Sequence, residues 1–259
     1  MNGSNFIKYE YYLNSSVSFF KSNFEKRLKF LKKKIFLFTE ISNFINNCID
    51  SSKNIFIFCA GNSILAKNIK SEKIFIKEID EKYEIKYNSN IHYVNENTQN
   101  VLSECDAIII SDIEHQSNPT SNLLNLSKII KDDSKIIIIS RNLVWMSLIK
   151  ILKFFFNFSP QKNNFLPSSY LDNLYSSCNL EVIRNEKIIA LPIHIPFFTS
   201  FINRIFRLPL LNIFCLSNVT ILKKKDQNFT SNKDLKVSFI IPCKNEQNNI
   251  KTFEKEISE

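Results

Sequence analysis

The sequence predicts an α/β fold, a mainly parallel sheet with helices on both faces. Three observations carry that expectation. Short, uninterrupted apolar runs such as NIFIF (54–58), AIIIS (107–111) and KIIIIS (135–140) suit strands buried on both sides. Segments of helical period lie between them, and parallel neighbours need such crossovers. A hydrophobic content of 44% over 259 residues is ample for a packed core.

Each element follows in order. Phe20, Phe24, Leu28, Leu31, Ile35 and Phe38 step by three and four, which predicts an N-terminal amphipathic helix with lysines opposite. NIFIF is the first strand, a short helix at 64–69 follows a turn, and KIFIKEID (73–80) is the second strand. IHYV (91–94) is the third and AIIIS the fourth; residues 121–130 have helical spacing before KIIIIS, the fifth. Helices are expected at 144–156 and 168–178, a strand at 180–189, a helix at 198–206 and a last strand at 214–222. The strand at 180–189 is expected to pair antiparallel with the last one at one side of the sheet.

The formal charge of +9 invites a nucleic-acid partner, but the lysines are scattered among Asn, Ile and Phe as a compositional bias, so none is expected. Only the run from Lys26 to Lys34 is denser. It reads as a solvated helix face, with peripheral contact to an anionic membrane surface as the other reading. The six cysteines show no CxxC pair and no zinc spacing, which points to a reducing compartment and to no metal. The N-terminus has no basic-then-apolar leader, and the longest apolar stretch, 188–202, is broken by Pro192, His194 and Pro196. A cytoplasmic protein is expected.

Only two glycines occur, Gly3 and Gly61, so the one interior glycine falls at the turn after the first strand. In doubly wound folds that turn must let a ligand approach the backbone. A tight turn alone would need the same residue. Asp80 closes KIFIKEID about 20 residues later, the spacing at which a carboxylate reaches a ribose. Asp112 and His115 follow the fourth strand, where a proton acceptor would serve group transfer; the bland alternative makes them loop residues that cap the helix after Pro119. His92 and His194 have no companions for a metal site.

These residues carry a resemblance. IFIFCAGNS (55–63) resembles the first motif of the class I S-adenosylmethionine-dependent methyltransferases, EID (78–80) the second, and CDAIIISDIEH (105–115) the fourth-strand motif. FLPSSYLDNLYSSCNLEVI (165–183) is similar to the family's late helix and sixth strand. The resemblance implies a Rossmann-like, seven-stranded sheet with an antiparallel last strand and S-adenosyl-L-methionine as cofactor. It implies that Cys59, Ala60, Gly61, Asn62 and Ser63 lie along the methionine part, that Asp80 holds the ribose, and that Glu96 or Asn97 lies near the adenine. Asp112 and His115 would be the catalytic pair. Ile57 stands where the family has an acid, and Cys59 and Ser63 stand where it has glycines.

The tail VSFIIPCKNEQNNI (237–250) resembles the first strand and loop of family 2 glycosyltransferases, with Pro242, Asn245 and Glu246 on that family's nucleotide-sugar motif. The segment to Glu259 is too short to bury a core, so it implies the opening of an incomplete second domain of GT-A type. The expected organisation is a helical segment (1–53), a methyltransferase-like domain (54–222), a linker (223–236) and the glycosyltransferase start (237–259). The expected function is methyl transfer to a small-molecule, sugar or lipid-linked acceptor in surface-polysaccharide biosynthesis, with a nucleotide-sugar as partner of the fused domain. A catalytically inactive scaffold is the alternative, and the absence of GxGxxG disfavours a nicotinamide-dependent oxidoreductase.

Overall fold

The computed structural model describes residues 12–49, 53–85, 88–94, 98–111, 113–142, 144, 166–189, 195, 198–208 and 210–225. The chain divides into two units, Met1–Lys225 and Asp226–Glu259, and every described residue belongs to the first. The tail at 237–259 and all but Val144 of the helix expected at 144–156 lie outside the described residues.

Seven strands form one sheet: β1 (Asn54–Cys59), β2 (Lys73–Glu78), β3 (Ile91–Tyr93), β4 (Ala107–Ser111), β5 (Lys135–Arg141), β6 (Leu180–Ile188) and β7 (Ser217–Lys224). Their order is β3-β2-β1-β4-β5-β7-β6. The first five run parallel, while β7 inserts antiparallel between β5 and β6. This is the mainly parallel, seven-stranded Rossmann-like sheet with an antiparallel last strand that the sequence predicts.

Both side-chain sets of each central strand are apolar because both faces are covered. On one face Ile55, Ile57, Ile74, Ile76, Ile109 and Ile137 pack with Leu37, Phe38, Ile41 and Ile45 of α3 (Ile35–Asn46). On the other, Phe56, Phe58, Ile108, Ile110, Ile136 and Ile138 meet Leu123 and Leu126 of α5 (Pro119–Ile129) and Leu171 and Leu174 of α6 (Ser168–Ser177). The short α4 (Thr98–Leu102) leads into β4, and α7 (Phe198–Ile205) lies in the connection from β6 to β7.

Three differences from the sequence reading stand out. The single N-terminal helix is three, α1 (Asn14–Ser22), α2 (Phe24–Lys33) and α3, broken at Asn23 and Lys34. At the first break the Asn23 amide donates to the Phe19 carbonyl at 3.0 Å, a local side-chain bond that competes with helix continuation. β2 stops at Glu78, so Asp80 lies beyond the strand as N-cap of a 3-10 turn, accepting from the Lys82 N–H at 3.0 Å. β7 begins at Ser217, because Asn212–Phe214 form a 3-10 turn whose Ile213 carbonyl accepts from Asn142 at 2.7 Å.

Candidate functional site

The carboxyl ends of β1, β2 and β4 lie side by side, with Cys59 opposite Glu78 and Phe58 opposite Ile110. The loop Cys59–Ser63 therefore leaves the sheet between two neighbouring strand ends, where ligands of open α/β sheets bind. Gly61 has φ +69°, a left-handed conformation. A Cβ there would lie 2.8 Å from the Phe20 ring and 3.3 Å from that of Tyr83, so the position demands glycine for both conformation and space.

Glu78 shapes this loop. One carboxylate oxygen accepts from Gly61 N–H at 2.8 Å and Ile79 N–H at 3.1 Å, and the other accepts from Ser63 N–H at 2.9 Å. Burial pushes its pKa up from 4.5 to about 7, against the opposing pull of those three N–H donors and of the Arg27 charge. The Asn62 side chain adds a second brace, donating to Ser111 Oγ at the end of β4 and accepting from the Ala60 N–H at 3.2 Å. Ser63 Oγ donates to the Tyr83 carbonyl at 3.0 Å.

The N-terminal segment covers the loop. The Tyr12 hydroxyl bridges β1 and β2, 2.7 Å from the Cys59 carbonyl and 3.0 Å from that of Lys77. Phe20 of α1 is fully buried and stands edge-on to Tyr83 and to His115. The Tyr83 hydroxyl donates to the Phe20 carbonyl at 3.0 Å, and burial holds its pKa at about 12, so it stays a donor. The Arg27 guanidinium lies 5.0 Å from the centre of the Phe20 ring.

His115 sits in a buried 3-10 turn, Ile113–His115, after β4. Its Nδ1 is 3.1 Å from Ser16 Oγ, and its carbonyl accepts from the Leu13 N–H at 2.9 Å. It does not cap α5; Asn118 does, accepting from the Ser121 N–H at 3.0 Å, with Pro119 at the first helical position. The Asp80 carboxylate is 3.6 Å from Lys21 Nζ.

The structure thus brings Cys59, Ala60, Gly61, Asn62, Ser63 and His115 to one end of the sheet, with Asp80 two residues beyond β2. Asp112, Glu96, Asn97, Pro242, Asn245, Glu246 and His194 lie outside the described residues. His92 is exposed on β3. Among the described residues no three His, Cys, Asp or Glu side chains gather to hold a metal ion. Sequence reasoning missed Glu78, Phe20, Tyr12 and Ser16. Glu78 was within reach, since it continues the inward alternation Ile74, Ile76.

No family model matches the chain, and no curated protein does. Solved structures do share its fold. The magnesium protoporphyrin IX methyltransferase of Synechocystis PCC 6803, crystallised with S-adenosylhomocysteine, superposes with a TM-score of 0.53 at 10% identity, covering 80% of this chain and 97% of that one. A SAM-dependent methyltransferase from Archaeoglobus fulgidus superposes with a TM-score of 0.50 at 18% identity, covering 74% and 94%. At these identities the likeness is one of fold.

Proposed function

We propose that the chain is an S-adenosylmethionine-dependent methyltransferase domain. The observation that carries this reading is the construction at the ends of β1 and β2: an obligatory glycine in a loop held by a buried carboxylate, with a second acid two residues farther on. The loop Cys59–Ser63 fits the methionine part of the cofactor, whose backbone approach Gly61 permits. Asp80 fits the ribose better than Glu78, because both Glu78 oxygens already accept backbone N–H groups, whereas one Asp80 oxygen accepts from the Lys82 N–H and the other lies 3.6 Å from Lys21, an exposed side chain. The cofactor supplies a methyl group on a positively charged sulfur. His115 is the group proposed to take the acceptor's proton, with Asp112 beside it in sequence; this role requires α1 to lift from His115. A sugar or lipid-linked acceptor and a fused nucleotide-sugar-binding domain rest on the tail resemblance alone, and a cytoplasmic location rests on the cysteine usage.

A specific observation favours a second reading, the catalytically inactive scaffold. Phe20 packs on Gly61, where the bound cofactor would approach. Calorimetric titration with S-adenosylhomocysteine separates the two. The methyltransferase reading expects binding that Asp80→Ala weakens about tenfold or more, since hydrogen bonds to a charged group contribute about 1.5–3 kcal/mol. If neither the native chain nor Phe20→Ala binds at millimolar ligand, the scaffold reading holds.

A further inference from the structure

The connection from β6 to β7 carries a helix built inside out. α7 buries Thr199 at 1% exposure and Asn203 at 5%, and turns Phe198 and Phe201 outward at 53% and 62%. Thr199 Oγ1 accepts from the Ile195 N–H at 2.8 Å, which secures the start of the helix. The apolar surface continues past it, with Leu208 at 56% and Leu210 at 87% exposure, then Ile213 and Phe214. A water-facing helix would show the reverse arrangement.

Charge says what covers this face. Arg204 and Arg207 are exposed among these apolar residues, and the sequence has no Asp or Glu anywhere from Lys187 to Lys225. Phenylalanine and leucine outward, arginine alongside and no acid nearby is the pattern of a helix lying in the plane of a bilayer interface. The segment is also anchored: Asn142 Nδ2 donates to the Ile213 and Cys215 carbonyls at 2.7 Å each, and Leu216 N–H donates to the Ile189 carbonyl at 2.7 Å.

We infer that the outward face of α7 and the connection to β7 docks on a lipid bilayer bearing anionic headgroups. Ser217 pairs with Arg141 at the carboxyl end of β5, the same end of the sheet as the loop Cys59–Ser63. Docking through this face therefore turns the candidate site's end of the sheet toward the membrane. The inference stands independently of the cofactor reading.

Co-sedimentation of the full chain with vesicles tests it, using phosphatidylcholine alone and phosphatidylcholine with ~30% phosphatidylglycerol. The native chain is expected to pellet with the anionic vesicles and to be released by high salt. Phe198→Ser with Phe201→Ser should weaken binding about tenfold or more, and Arg204→Gln with Arg207→Gln should abolish the preference for anionic vesicles. Both pairs should keep the native melting temperature, because the replaced side chains are exposed. Lys29→Gln with Lys32→Gln should leave binding unchanged. Absence of pelleting, loss of it on the Lys29 and Lys32 changes instead, or a dimer that the paired phenylalanine changes dissolve while vesicles go unbound would each overturn the inference, the last by making this face a protein interface.

Discussion

Glu78 has more to lose than any other charged residue of the site, because its side chain is both buried and shared among three backbone donors. In the unfolded chain it releases its proton near 4.5, in the folded chain near 7. Between those values the folded state holds the extra proton, so this residue makes stability fall as pH rises through the window, by on the order of 3 kcal/mol. Urea unfolding across that range should show the decline, and Glu78→Gln should flatten it. The same substitution should lower stability most at the acid end of that range, by about 1–3 kcal/mol because an amide NH₂ then faces a backbone N–H, and less as pH rises toward 7. Gly61→Ala is expected to lower the melting temperature as well, because the added methyl meets the buried Phe20 ring at 2.8 Å in a left-handed backbone.

Among the elements, α1 is the one whose place the sequence concealed. The strands were legible because their isoleucine runs are uninterrupted and each face finds a cover; β4 spans Ala107–Ser111, as expected, and β5 is longer by only Arg141. The stripe through Phe20 and Phe24 was legible as apolar, yet periodicity says only that a face is buried and not against what. Its partners, Gly61, Tyr83 and His115, are distant in sequence. For the same reason Asp80 stood out by spacing while Glu78, inside the strand, did not. Phe20→Ala should destabilise the fold by about 3–5 kcal/mol, as emptying a fully buried aromatic site does. If α1 covers a working site, the same change should tighten S-adenosylhomocysteine binding in calorimetry while it lowers the melting temperature.

For the whole molecule, burial makes the described thiols inert. Cys48, Cys59, Cys105, Cys178 and Cys215 are buried thiols outside any disulfide, and burial raises the Cys105 pKa to about 12. Titration of the native chain with an aromatic disulfide should modify none of these five until denaturant is added. Rapid reaction of one would show that its strand or helix opens locally.

The insertion of β7 between β5 and β6 also sets a timetable. β5 runs Ile136 to Ile139 without a break, and its second hydrogen-bonding edge waits for Ser217–Lys224. During synthesis, at roughly 5–20 residues per second, the stretch 142–216 takes on the order of 4–15 s to appear. Throughout that interval a bare isoleucine edge is open to any passing strand. A nascent chain halted before residue 217 should therefore aggregate or recruit a chaperone, and one released after Lys224 should not.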